Sequence, residues 1–173
     1  MDEGRFGLRG WLRRRWCPRG ERPPWVYADA YEWRWLDAAV EPLHGDSFFL
    51  LLPRVDTPCL QLFLDHLGAH VPDRRVGVVL DGSGAHQARE LRWPANLVPL
   101  PLPPYSPELN PAEQVFRHLR ACLANRIFAD VAELEEAIAD ALRTFWDAPQ
   151  ALRQLVGYPW WIEAARQIRP NAS

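Results

Sequence analysis

Lysine is absent from this chain. All 20 basic residues are arginine, set against 22 acidic residues for a formal net charge of −2. A protein held on nucleic acid by overall charge would carry a positive surplus, so any such partner must be met by a local cluster of arginines. Cysteine is scarce: Cys17, Cys59 and Cys122 stand far apart, and without a paired Cys-x-x-Cys unit a structural zinc site is not expected. Free thiols in a reducing compartment are the simple reading. Long apolar runs are also lacking. Phe48–Leu52 and Val76–Leu80 are far too short to cross a bilayer. Met1 is followed at once by Asp2 and Glu3, which leaves no secretory leader. The expectation is a cytoplasmic protein with no membrane partner.

What is present suits one packed domain. The hydrophobic fraction of 48% in 173 residues can bury a real core and does not fit a disordered chain. Arginine without lysine, with abundant alanine, proline and leucine, points to a GC-rich, bacterial coding sequence. Residues 9–24, rich in Arg, Trp, Pro and Gly, read as an irregular arm. Tyr31, Trp33 and Trp35 alternate with Glu32, Arg34 and Leu36. His44-Gly45-Asp46 is a turn, and Ser47–Leu52 a second strand, so the pair reads as an antiparallel hairpin.

Asp56-Thr57-Pro58 starts a helix with an apolar stripe of Leu60, Leu64 and Leu67, which Gly68 can end. Val76–Leu80, an unbroken apolar run, reads as a strand covered on both faces. A short helix over 86–92 and a strand over Asn96–Leu100 follow. After the proline-dense loop from Pro99 to Pro111, a helix begins at Asn110 or Pro111, with Phe116, Leu119, Leu123 and Ile127 on one face. Asp130 and Glu133 make a capping box for the next helix, lined by Val131, Leu134, Ile138, Leu142 and Phe145. The nine tryptophans are expected mainly in the core. Strands followed by α/β units give an α/β fold, a mixed sheet flanked by helices.

Three acidic residues hold informative places. Asp81 ends the buried strand, and the carboxyl ends of parallel strands gather ligands and chemistry. Glu113 lies in the first turn after the proline loop, and Asp2 stands at the chain start. Hard divalent cations bind carboxylate oxygens, and two such ions can activate an attacking oxygen and stabilise a leaving one in displacement at phosphorus. That chemistry needs carboxylates brought together from separate elements. Plainer readings remain open on spacing alone: Asp81-Gly82 fits a turn, Glu113 fits a capping role three residues after Asn110, and a terminal Asp2 can fray.

The words around these residues are more specific. Leu102-Pro-Pro-Tyr105-Ser-Pro-Glu108-Leu-Asn110-Pro-Ala-Glu113-Gln-Val-Phe116 closely resembles the third-carboxylate motif of the mariner-superfamily DDE transposases, especially their bacterial insertion-sequence branch. Val78-Val-Leu-Asp81-Gly-Ser-Gly-Ala-His86 resembles the second motif, and Asp2-Glu-Gly-Arg-Phe-Gly-Leu8 the first. The matches run in order from residue 2 to about 145. The resemblance implies an RNase H-like fold in which Asp2, Asp81 and Glu113 hold two Mg²⁺ or Mn²⁺ ions. Between the last two lie 113 − 81 − 1 = 31 residues, slightly short of the family's usual separation. Glu108 is a less favoured ligand, and His86 is expected to help place a metal, water or phosphate.

The same resemblance implies cleavage of DNA at transposon ends and strand transfer into target DNA. Arg13, Arg14, Arg15, Arg19 and Arg22, interleaved with Trp16 and preceded by Arg9 and Trp11, are the expected DNA contacts, arginine being suited to phosphate oxygens. A packed, solvated arm is the plainer alternative. The expected domain is a single catalytic unit over 1–173, with its core over about 1–145 and a helical tail over about 146–173. The family's helix-turn-helix domain is absent, and with only Met1 before Asp2 the first strand is expected to be largely missing. An upstream reading frame supplying the missing part, a homo-oligomer, and an inactive remnant that binds DNA or full-length transposase are the accompanying possibilities. Weak or no transposition by the isolated chain, with Asp2 loosely held, is the expectation.

Overall fold

A computed structural model of the protein describes residues 1–21, 30–81, 90–103, 106 and 109–167. Among these the elements run β1 (Asp2–Gly7), β2 (Trp33–Val40), β3 (Ser47–Leu52), α1 (Thr57–His70), β4 (Val76–Leu80), β5 (Leu97–Pro101), α2 (Ala112–Cys122), α3 (Val131–Asp147), α4 (Pro149–Val156) and α5 (Pro159–Gln167). The antiparallel hairpin is β2–β3, and β1 pairs antiparallel with the other edge of β2, Asp2 opposite Ala38 and Gly7 opposite Trp33. β4 and β5 pair in parallel, Val76 opposite Leu97. The Met1 amine donates to the Val79 carbonyl and so sets the start of β1 beside the end of β4. The mixed α/β architecture is the expected one. The first strand differs from expectation: β1 begins at Asp2 and is paired with β2 along its full length.

Among the described residues the strands form two sheets, β1–β2–β3 and β4–β5, and helices pack against them in two cores. One core joins Phe6, Leu36 and Ala38 to Phe116, Ile138 and Leu152, which places α2, α3 and α4 on one face. The other joins Leu52 of β3, Phe63 and Leu64 of α1, and Val78 and Leu80 of β4. β3 serves both cores, Phe49 and Leu51 toward the first and Phe48 and Leu50 toward the second, as its period of two requires. In β2 three successive residues, Leu36, Asp37 and Ala38, are buried, while Trp33 is 42% exposed. Trp161 alone of the described tryptophans is buried, and Trp16 is fully exposed. Leucine, phenylalanine and valine fill both cores, and most of the described indoles, too large to be enclosed easily, sit at their rims.

Several helix ends follow the sequence signals and others do not. Asp56 Oδ1 accepts from the Cys59 N–H at 2.9 Å at the start of α1. Gly68 does not end that helix, which continues to His70. A Cβ on Gly68 would lie 2.9 Å from Pro94 Cβ, so glycine there allows a close approach. α2 stops at Cys122 and leaves Ile127 beyond the helix and 42% exposed. Asp130 Oδ1 accepts from the Glu133 N–H at 2.9 Å, while Glu133 reaches back to the Ala129 N–H at 2.6 Å. The short helix expected over 86–92 falls mostly outside the described residues, and Glu90 to Arg92 are not helical. Leu152 and Val156 of α4 are fully buried, so the core extends past residue 145. Among the described residues no helix is long and apolar enough to cross a membrane, and Cys17, Cys59 and Cys122 are free thiols.

α2 presses on β1 at Gly4, where a Cβ would meet Phe116 Cδ1 at 2.8 Å. Gly4→Ala is expected to lower unfolding stability by about 1–3 kcal/mol in urea denaturation, with Phe116→Leu in the same chain recovering part of the loss. An unchanged midpoint in the single variant would show that α2 does not rest on β1.

Candidate active site

Side chains at alternate positions of a strand share a face, so Asp2, Gly4 and Phe6 look toward α2. Phe116 sits over Gly4, its ring 6.2 Å from that of Phe6. One turn back along α2 from Phe116 is Glu113, and two residues back along β1 from Gly4 is Asp2. The two carboxylates thus come from the facing ends of packed elements. Asn110 joins those ends. Its buried side chain donates through Nδ2 to the Met1 carbonyl at 3.1 Å and accepts through Oδ1 from the Ala112 N–H at 3.1 Å. Asn110 thereby takes the capping role, and the Glu113 carboxylate faces Arg120.

Asp81 follows Leu80 at the carboxyl end of β4, two residues after Val79, whose carbonyl receives the Met1 amine. Asp81 is exposed. Three segments therefore meet around the main chain of Met1: the start of β1, the end of β4 and the start of α2. Asp2 and Glu113 interact electrostatically, and Asp81 acts with Asp2 and Glu3 on the Met1 amine. The closed cage expected of Asp2, Asp81 and Glu113 is not formed: among the described residues no three acidic, histidine or cysteine side chains stand close enough together to hold a metal ion. Facing carboxylates repel one another, which opposes closure.

The charge around Asp2 shows this strain. Burial raises its pKa from 3.8 to about 7, with further upward pressure from Glu3 and Glu113. A hydrogen bond from the Glu3 N–H to Asp2 Oδ1, at 2.9 Å, and the Met1 amine pull the other way without prevailing. Burial lowers the pKa of the Met1 amine, against the opposing pull of Asp2, Glu3 and Asp81. A half-buried carboxylate beside the carboxylates of Glu3 and Glu113 has the oxygen chemistry that a hard divalent cation takes.

Arg120 is a site residue that the sequence reading missed. It lies two helical turns beyond Glu113, its Nη1 3.9 Å from Glu113 Oε2, and its guanidinium is 6.0 Å from the Phe6 ring centroid and 5.9 Å from that of Trp11. Its placement seven positions after Glu113 on one helix face was the available signal. Trp11 packs edge-on against Phe6 at 5.4 Å and so brings the arginine arm alongside the site. Arg13, Arg14, Arg15 and Arg19 are exposed, and the arm is pinned by Asn125. On the far side, Trp161 Nε1 donates to the Leu109 carbonyl at 2.6 Å and ties α5 to the end of the proline loop. Asn125 and Trp161 carried no spacing signal, since each bonds a partner distant in sequence, and the bond from Asn110 to Met1 was likewise unannounced. Arg22, His86 and Glu108 lie outside the described residues.

Comparison with known proteins supplies the family. The uncharacterized protein y4pE/y4sA of Sinorhizobium fredii is 36% identical over 132 residues, covering 75% of this chain and 90% of that one. The Mos1 mariner paired-end complex with Mn matches with a TM-score of 0.63 and 17% identity over 98% of this chain and 55% of the Mos1 chain. The Mos1 strand transfer complex matches with a TM-score of 0.60 and 18% identity over 89% and 52%. At such identities the likeness is one of fold, the RNase H-like one, and the present chain spans about half the length of the Mos1 chains. Residues 1–135 match the model of the DDE superfamily endonucleases, and the chain belongs to that family.

Proposed function

We propose that this chain is the catalytic domain of a DNA transposase, cutting phosphodiesters at the ends of a mobile element and joining the freed end to target DNA. What supports the reading is the meeting of β1, β4 and the start of α2 around the main chain of Met1, since these are the segments that carry Asp2, Asp81 and Glu113. Their oxygens would hold two Mg²⁺ or Mn²⁺ ions. Bound there, such ions supply Lewis-acid stabilisation at phosphorus and an activated oxygen nucleophile. That Mos1 transposase, of the same fold, was solved with its left transposon end and as paired-end complexes with Mn and with Mg supports DNA and a divalent metal as partners here.

The remaining roles belong to the chain's own groups. Asn110 holds the start of α2 against the start of β1 and so orients Glu113 relative to Asp2. Arg120 shields Glu113 and offers its guanidinium to a phosphate oxygen. Arg13, Arg14, Arg15 and Arg19, with Arg22, bind the DNA backbone, and exposed Trp16 stacks on an unpaired base. His86 helps place a water or phosphate. A second reading is a non-catalytic chain that binds DNA or a longer transposase. A second copy, or a helix-turn-helix segment from an upstream frame, would then complete the machinery.

Nicking of supercoiled plasmid separates the two readings. With Mn²⁺ the wild-type chain should nick, and Asp81→Asn and Glu113→Gln should each reduce the rate by about 100-fold or more while leaving the melting temperature unchanged. Equal nicking by both variants would remove these residues from the site. No nicking by any chain, with DNA binding intact, would favour the accessory reading.

The raised pKa of Asp2 makes a separate prediction about stability without metal. The folded chain holds the proton more tightly than the unfolded one, so this contribution is fully present below pH 3.8 and is lost as pH rises through about 7. Asp2→Asn, which carries no charge at any pH, should therefore be more stable than wild type at pH 8, on the order of 2–4 kcal/mol. The difference should shrink toward pH 4. Urea denaturation at both pH values measures it, and equal stabilities at pH 8 would show that Asp2 is well solvated.

A further inference from the structure

Asn125, just beyond α2, is the one non-glycine residue with positive φ among the described residues, at 59°. Such a conformation costs an L-residue about 1–2 kcal/mol, and asparagine tolerates it better than most. Three hydrogen bonds accompany it. The Asn125 N–H donates to the Trp11 carbonyl at 2.9 Å, Oδ1 accepts from the Arg13 N–H at 3.0 Å, and Nδ2 donates to the Arg13 carbonyl at 3.1 Å. One side chain thus pairs with both main-chain groups of a residue 112 positions away, as a neighbouring strand would. The site is exposed, so water was available to all these groups and burial did not demand the pairing. The bonds hold in place a segment that has no regular secondary structure of its own.

The tethered segment lies close against the end of α2. A Cβ on Gly10 would be 3.1 Å from the Arg126 carbonyl oxygen, and the Trp11 ring lies beside Arg120. Immediately after Trp11 and Leu12 come three consecutive exposed arginines, Arg13, Arg14 and Arg15. An arm left loose would lose about 1–2 kcal/mol of backbone freedom per residue on ordering against a ligand, whereas an arm already held has lost much of it.

We propose that Asn125 is a positioning residue for DNA binding, whose amide fixes the main chain of Arg13 so that the Arg13–Arg15 arm meets the DNA phosphates already ordered. The proposal rests on the DNA-binding role given to this arm above and adds the residue that presets it.

The test is anisotropy titration of a short fluorescent duplex with the whole chain over a series of salt concentrations. Asn125→Gly keeps the backbone conformation and its N–H but removes both amide bonds. It should weaken binding by about 5- to 20-fold and leave the slope of log Kd against log salt unchanged, because the same phosphates are met. Arg13→Ala, Arg14→Ala and Arg15→Ala together should reduce both affinity and slope, and adding Asn125→Gly to that triple variant should change little further. Mn²⁺ binding unchanged in each variant shows that the fold and the carboxylate site are retained. Wild-type affinity in Asn125→Gly, or full additivity with the triple variant, overturns the role of Asn125. An unchanged slope in the triple variant sinks the arm reading itself.

Discussion

The main chain of Met1 is the junction on which the rest of the site depends. Its amine is bonded to Val79 of β4, its carbonyl to Asn110 before α2, and Asp2 follows it directly. Backbone groups buried away from water must be paired, and pairing these two from different elements fixes the relative positions of all three. Below the junction, Gly4 lets Phe116 settle onto β1 at a distance no side chain would permit. Helix and strand therefore start together, and the acidic residue near the start of each is held near the other. The carboxyl end of β4 is delivered to the same place.

Packing this tight creates an electrostatic problem. Asp2 is driven partly out of water beside Glu3 and Glu113, and its proton affinity rises accordingly. Arg120 offsets part of the charge on Glu113 but lies near its edge, at 3.9 Å. A scaffold that concentrates carboxylates and leaves them incompletely neutralised sacrifices stability, as is common where chemistry is done. The same face carries the arginine arm, whose Trp11 shares contacts with Phe6 and Arg120. Negative and positive groups are thus arranged side by side along one edge, one suited to metal and the other to phosphate.

Much of this was legible in the sequence because it is periodic or local. The apolar run Val76–Leu80, the hairpin and the caps at Asp56 and Asp130 are short-range signals, and each stands where expected. The motif words around Asp81 and Glu113 pointed to a family that the match over residues 1–135 bears out. The first strand was underestimated because β1 begins at Asp2 and takes its pairing from β2, which no pattern before Asp2 could show. Gly68 was read as a helix end because glycine allows two uses, and the neighbour that decides between them, Pro94, is remote in sequence. The tryptophans were placed in the core on hydrophobicity, whereas ring size keeps most of those described at its rim. Asn110 and Asn125 bond the main chain of residues more than a hundred positions away, and no periodicity announces such contacts.

The proposed function requires Asp2, Asp81 and Glu113 to share a divalent cation where β1, β4 and α2 meet. Anomalous diffraction from crystals grown with Mn²⁺ tests it most directly. The account predicts a manganese peak bounded by oxygens of these three side chains, with Asp81 drawn inward from its exposed position. Manganese bound only elsewhere on the surface, with Asp81 and Glu113 still apart, would contradict it.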